Sequence, residues 1–138
     1  MTERMEPEYV AAMREHVEQL AEELDELRRL ASEGSALPPL LYRAAERNLQ
    51  LLTEACIGIA KQKLKASGLV VPSDSRQAFA KLAAMDADHS GTHWNKVIGL
   101  RNALVHDYLN LDPQIVTTVV REGHYETLLA FVREHLTG

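Results

Sequence analysis

The sequence is short of the residues that build several common kinds of protein. It holds a single cysteine, Cys56, so no internal disulfide can form, which fits a reducing compartment. No run approaches the roughly 20 apolar residues needed to cross a bilayer. The stretch from Met1 to Glu8 is acidic with no apolar core behind it, unlike a secretory signal. A cytoplasmic location with no membrane contact is therefore expected. Aromatic residues make up only 5% of the chain, leaving few platforms on which nucleic-acid bases could stack. Positive charge is the minority sign, with 15 Lys and Arg against 20 Asp and Glu, a net charge of −5. Proteins that grip nucleic acid over their whole surface are usually basic, because phosphate neutralisation dominates such binding. Any contact with nucleic acid here has to come from a local patch.

What is present describes an ordinary globular chain. The hydrophobic fraction is 46% and the charged fraction 25%, and 138 residues suffice for one domain with a genuine core, expected to span 1–138. Val10, Met13, Val17, Leu20, Leu24 and Leu27 recur at helical spacing and predict a long first helix with one apolar seam. Pro7 suits its first turn, and Gly34 with its flanking serines supplies the stop. Pro38-Pro39 opens a second long helix carrying Leu41, Ala45, Leu49, Leu52, Cys56 and Ile59, which ends before Gly68. Pro72-Ser73-Asp74-Ser75 caps a shorter helix with Phe79, Leu82 and Met85, and a fourth is expected from about Thr92 to Tyr108. Asp112-Pro113 opens a brief fifth, and Gly123 precedes a last one. No segment alternates as a half-buried strand would. The expectation is an all-α bundle, two long antiparallel helices with three or four shorter ones against them.

The fourth helix contains an anomaly. At about 100° per residue, Trp94, Ile98, Val105 and Tyr108 form one apolar stripe, and Arg101 falls near its middle. A guanidinium on an apolar face is expensive unless a carboxylate, a partner chain or a phosphate meets it. His106 lies about 140° round the helix from Arg101, over Asn102 one turn back. The two do not converge on a regular helix. Either the helix is distorted near Gly99 or its end, or a second copy of the chain completes the site.

Other constellations are weaker. His89 and His93 with Asp86 and Asp88 have the residue types of a metal site, but His89 sits in an expected loop and no further spaced ligand supports it, so no metal is assigned. Cys56 lies on the apolar stripe of the second helix and reads as core. Arg43, Arg47, Lys61, Lys63, Lys65 and Lys96 are candidates for a basic patch, although the lysines at the end of the second helix also complement its dipole. Glu46 is one carboxylate that could meet Arg101.

The string Arg101-Asn102-Ala103-Leu104-Val105-His106-Asp107-Tyr108 resembles the Arg-x4-His-x-Tyr signature of HEPN-domain proteins, specifically the HepT toxins. The resemblance implies a HEPN-like bundle and a metal-independent endoribonuclease, the toxin of a type VII-like toxin–antitoxin pair. It implies Arg101, Asn102 and His106 as catalytic residues and Tyr108 as the acceptor of AMP. A cognate nucleotidyltransferase antitoxin of the MntA type would transfer that AMP from ATP, so the chain itself needs no cofactor. RNA, tRNA among the candidates, would be the substrate. The chemistry is consistent with these residues. RNA carries its own nucleophile, the 2′-hydroxyl, and needs a general base, a general acid and stabilisation of charge on phosphorus. Histidine serves either proton role near neutrality, and arginine binds phosphate through paired hydrogen bonds. One chain supplies one such histidine, so a two-fold homodimer would bring two sets to a shared cleft. A non-catalytic helical module that docks a nucleotidyltransferase is the alternative reading.

Overall fold

The computed structural model describes residues 4–34 and 36–136; Met1 to Glu3, Ser35 beside Gly34, and the last two residues lie outside it. Among the described residues the chain forms six α-helices: α1 (Pro7–Glu33), α2 (Pro39–Ala66), α3 (Ser75–Ala84), α4 (Trp94–His106), α5 (Pro113–Arg121) and α6 (Glu126–His135). A single 3-10 turn, Tyr108–Asn110, separates α4 from α5. Proline at the first turn opens α1, α2 and α5, where its missing N–H is no loss. Asp74 accepts from the backbone N–H of Arg76 and Gln77, and Asp112 from that of Gln114, so the cap expected in the run from Pro72 to Ser75 falls on Asp74 and the one expected at Asp112-Pro113 on Asp112. No described helix is long and apolar enough to cross a membrane.

The apolar seam of α1 is buried at Val17, Leu20, Leu24, Leu27 and Ala31. Tyr9 near the start of α1 meets Gly58 near the end of α2, its hydroxyl 3.3 Å from where a Cβ would stand, as an antiparallel pair requires. The α2 helix packs against all five other α-helices. That explains why its buried residues go most of the way round, from Ala45 and Leu49 to Ile59, Ala60 and Leu64. Cys56 is fully buried there, its thiol 3.6 Å from the Leu128 carbonyl and pushed up by burial, and so lies in the core as expected.

The start of α4 is held by aromatic packing. Phe79 of α3 stacks on Trp94 with ring centroids 3.6 Å apart, and Phe131 of α6 meets Trp94 edge-on at 5.0 Å. Both phenylalanines and the only tryptophan are spent on this cluster. Each such pair contributes about 0.5–1.5 kcal/mol beyond its buried area. The Trp94 Nε1–H also donates to Asp88 Oδ2 at 2.6 Å, so the helix that carries the motif is fixed at its first residue.

Candidate functional site

Arg101 lies in the third turn of α4, on the side that Trp94 and Ile98 bury. Its guanidinium is partly buried, Nη1 donates to Asn102 Oδ1 at 3.1 Å, and Nε is buried with no hydrogen-bond partner. No carboxylate pairs with it among the described residues. Glu46 lies against the Tyr42 hydroxyl instead; burial first, then Glu46 and Asp112, pushes that phenol up to about 12.

The α4 helix runs unbroken through Gly99 to His106, so there is no mid-helix distortion to bring Arg101 and His106 together. His106, its last residue, is exposed, and its imidazole forms no hydrogen bond or ion pair with another described residue. Arg101 and Asn102 are joined; His106 stands apart from both.

Tyr108 is not on α4, where the stripe had extended the helix. Asp107 leaves helical geometry at φ −147°, ψ 32°. Its carboxylate accepts from Asn110 Nδ2 at 2.7 Å and its carbonyl from the Asn110 N–H at 3.1 Å. Aspartate competes with the helix by bonding locally, and here the local turn wins. Tyr108 therefore sits on the separate 3-10 turn with its ring 57% exposed, beside Leu109 at 84%. Val105, an expected member of the stripe, is also exposed, although Leu104 beside it in the last turn of α4 is buried.

The possible metal residues have other duties. His89 Nδ1 faces Glu134 Oε2 at 2.6 Å and Nε2 faces Asp86 Oδ1 at 3.1 Å. His135 joins Ala87 and Phe131 through their carbonyls. These contacts, with Asp88 on Trp94, tie the loop between α3 and α4 to α6. Hydrogen bonds from Trp94 and Ser90 outweigh burial and hold the Asp88 carboxyl below its usual range. Sequence reading missed this network because its partners lie far apart in the chain, Glu134 being 45 residues from His89. Of the basic candidates, Lys61 donates to the Ser73 carbonyl at 3.0 Å, while Arg43, Arg47, Lys65 and Lys96 are exposed.

A protein-family model described as Ribonuclease HepT-like matches residues 13–135, which include the whole Arg101–Tyr108 stretch. The chain belongs to the HepT-like ribonuclease family. The mRNA nuclease HepT of Shewanella oneidensis is 38% identical over 87 residues, 62% of this chain and 65% of that relative, so the match spans just under two thirds of the relative's length. Among solved structures, the tri-AMPylated S. oneidensis HEPN toxin in complex with MNT antitoxin superposes with a TM-score of 0.74 at 28% identity, over 91% of this chain and 94% of that one. A toxin–antitoxin structure with AMP-PNP gives 0.72 at 27% identity, over 91% and 97%. The HepT-like chain thus has the HEPN bundle that its motif implied.

Proposed function

We propose that this HepT-like chain is the toxin of a toxin–antitoxin pair, a metal-independent endoribonuclease that acts as a homodimer and is silenced by AMP transfer to Tyr108. One observation carries the nuclease reading. An inward-facing arginine has a buried Nε with no acceptor, and an exposed, unpartnered histidine ends the same helix. A phosphate oxygen would supply the missing acceptor, and the fork that binds it is already held on one side by Asn102. His106 would act as base or acid on the 2′-hydroxyl or the leaving oxygen, and Arg101 would offset charge growing on phosphorus. The nucleophile belongs to the RNA, so no metal-bound water is required. Messenger RNA is the substrate class that the S. oneidensis relative's name supports.

The geometry of one chain supports the homodimer. Arg101 and His106 diverge on a continuous helix, and in-line cleavage needs two proton-transfer groups where the motif of one chain offers a single histidine. The exposed Val105, Tyr108 and Leu109 at the end of α4 support a protein partner at this end. The AMPylated S. oneidensis toxin bound to its MNT antitoxin supports a nucleotidyltransferase partner, which would bring the ATP. The motif makes Tyr108 the acceptor, and its exposed phenol, without a hydrogen-bond partner among the described residues and two positions from His106, supports that reading. AMP there adds bulk and negative charge beside the phosphate-binding arginine.

The test is cleavage of RNA by the purified chain in excess chelator. Arg101→Ala and His106→Ala, each folded, should abolish it. Full activity in a strictly monomeric form would remove the dimer, and a folded chain that cuts no RNA would leave a docking module for the transferase.

A further inference from the structure

A groove of about 400 Å³ opens beside α4, away from His106. Its floor is apolar, made by buried Leu49 of α2 with Val97 and Leu100 of α4 and Val119 of α5. The last three are only partly buried, because α4 and α5 do not close on one another there. The rim has the opposite character. Lys96, His93 and His124 stand at the groove, and no carboxylate lines it. Glu122 is the nearby acid, paired with His124 at 3.1 Å on the exposed surface. In a chain of net charge −5, a rim of cationic and titratable nitrogens is a local reversal of sign. The first turn of α4 also has no side-chain cap at His93, so its N–H groups add to the positive field.

An apolar floor under such a rim fits a ligand with a flat apolar body and an anionic arm, and 400 Å³ lies within the roughly 300–1,000 Å³ of small-ligand pockets. The groove borders the site. Arg101 lies about 40° round the helix from Val97, while Lys96, about 7.5 Å before Arg101 along the axis, lies about 140° round, so a strand seated in the groove wraps part-way round α4 between them. We infer that the groove is a subsite for one nucleotide of the RNA next to the cleaved bond, its base on Leu49, Leu100 and Val119 and its phosphate at Lys96. Thr53 and Thr127 also line the groove, their hydroxyls already donating to the Leu49 and His124 carbonyls. The inference rests on the ribonuclease reading, and it explains how an acidic protein with few aromatics holds RNA: it needs a single pocket rather than a stacking surface.

The test uses the full chain and a fluorescent single-stranded RNA with 2′-O-methyl groups, which cannot be cleaved. Lys96→Glu should weaken binding about tenfold at low salt and lower the slope of log affinity against log salt by about one. Arg14→Glu makes the same charge change on exposed α1 and should leave both almost unchanged. Val119→Phe, which fills the groove, should weaken binding about tenfold with the slope unaltered. On cleavable RNA, Lys96→Glu and Val119→Phe should raise KM and spare the rate at saturation. Parent-like binding by the Lys96 and Val119 variants, with the parent still cleaving, would overturn the subsite alone. Equal losses from Arg14→Glu and Lys96→Glu would also overturn it, as a general charge effect. A parent that neither binds nor cuts RNA would overturn the ribonuclease reading instead.

Discussion

Arg101 donates to Asn102, its immediate neighbour on the same helix, through Nη1 at 3.1 Å, while its Nε is buried with nothing to donate to. Consecutive residues on a helix do not face one another, so the guanidinium has to fold across to make this contact. Asn102 satisfies one arm of the fork and leaves the rest waiting for an acceptor. A donor buried without a partner costs about 1–3 kcal/mol. The fold therefore keeps this arginine at its own expense.

Replacing Arg101 with methionine should raise stability by about 0.5–2 kcal/mol, a rise of several degrees in Tm for a chain of this size, since the orphaned donor goes and an apolar stem remains. The same change should abolish RNA cleavage. Arg101→Lys should also fail, with kcat down about 10²–10³, because an ammonium has no planar fork. Thermal melts beside cleavage assays check both; a destabilised Met variant would mean that Arg101 has a structural partner.

Tyr108→Phe should leave the unfolding free energy within about 0.5 kcal/mol of the parent, as expected for an exposed ring whose hydroxyl supports nothing. Incubated with the cognate transferase and ATP, it should gain no AMP by intact mass, where the parent gains at least one. AMP on the Phe variant would place the acceptor elsewhere.

Hydrogen bonding to Glu134, then to Asp86, raises the His89 pKa above its usual 6.5. A raised folded pKa means that the protonated clasp contributes fully below about pH 6.5 and is lost as pH climbs through the higher folded value. Amide exchange in the loop between α3 and α4 should then quicken from pH 6 to 9 beyond its intrinsic rise, and Trp94 fluorescence should shift with it. In His89→Gln both responses should flatten.

Gly123 sits at φ +70°, and a Cβ there would come within 2.7 Å of the Arg28 guanidinium. That guanidinium is held by its Nε hydrogen bond to the Arg121 carbonyl at 3.2 Å, so it cannot simply swing away. Gly123→Ala should cost about 1–3 kcal/mol in chemical denaturation. In an Arg28→Ala background the cost should fall towards about 1 kcal/mol, the part owed to backbone conformation alone.

The bundle was legible because its signals are local. The α1 seam, the Asp74 and Asp112 caps and the Gly68 stop each lie within a few residues of what they control. The end of α4 was not legible. The stripe through Val105 and Tyr108 continues at helical spacing, and only Asp107 bonding to Asn110 decides for a turn. The Arg101 anomaly was visible as a charge on an apolar face, yet its companion could not be read, and Asn102 rather than Glu46 takes the contact. The groove between α4 and α5 left no trace in the sequence, because half-exposed Val97 and Val119 look the same as core residues until their helices are packed.

The separation of Tyr108 from α4 divides labour within the motif. Arg101 and Asn102 are set by the packing of a helix; Tyr108 hangs on a short turn with almost nothing resting on it. A group attached to Tyr108 would leave the folding equilibrium nearly untouched. A cell could then keep a standing stock of finished, inert protein at no loss of shelf life, and removing one small covalent label would arm the whole stock without any refolding.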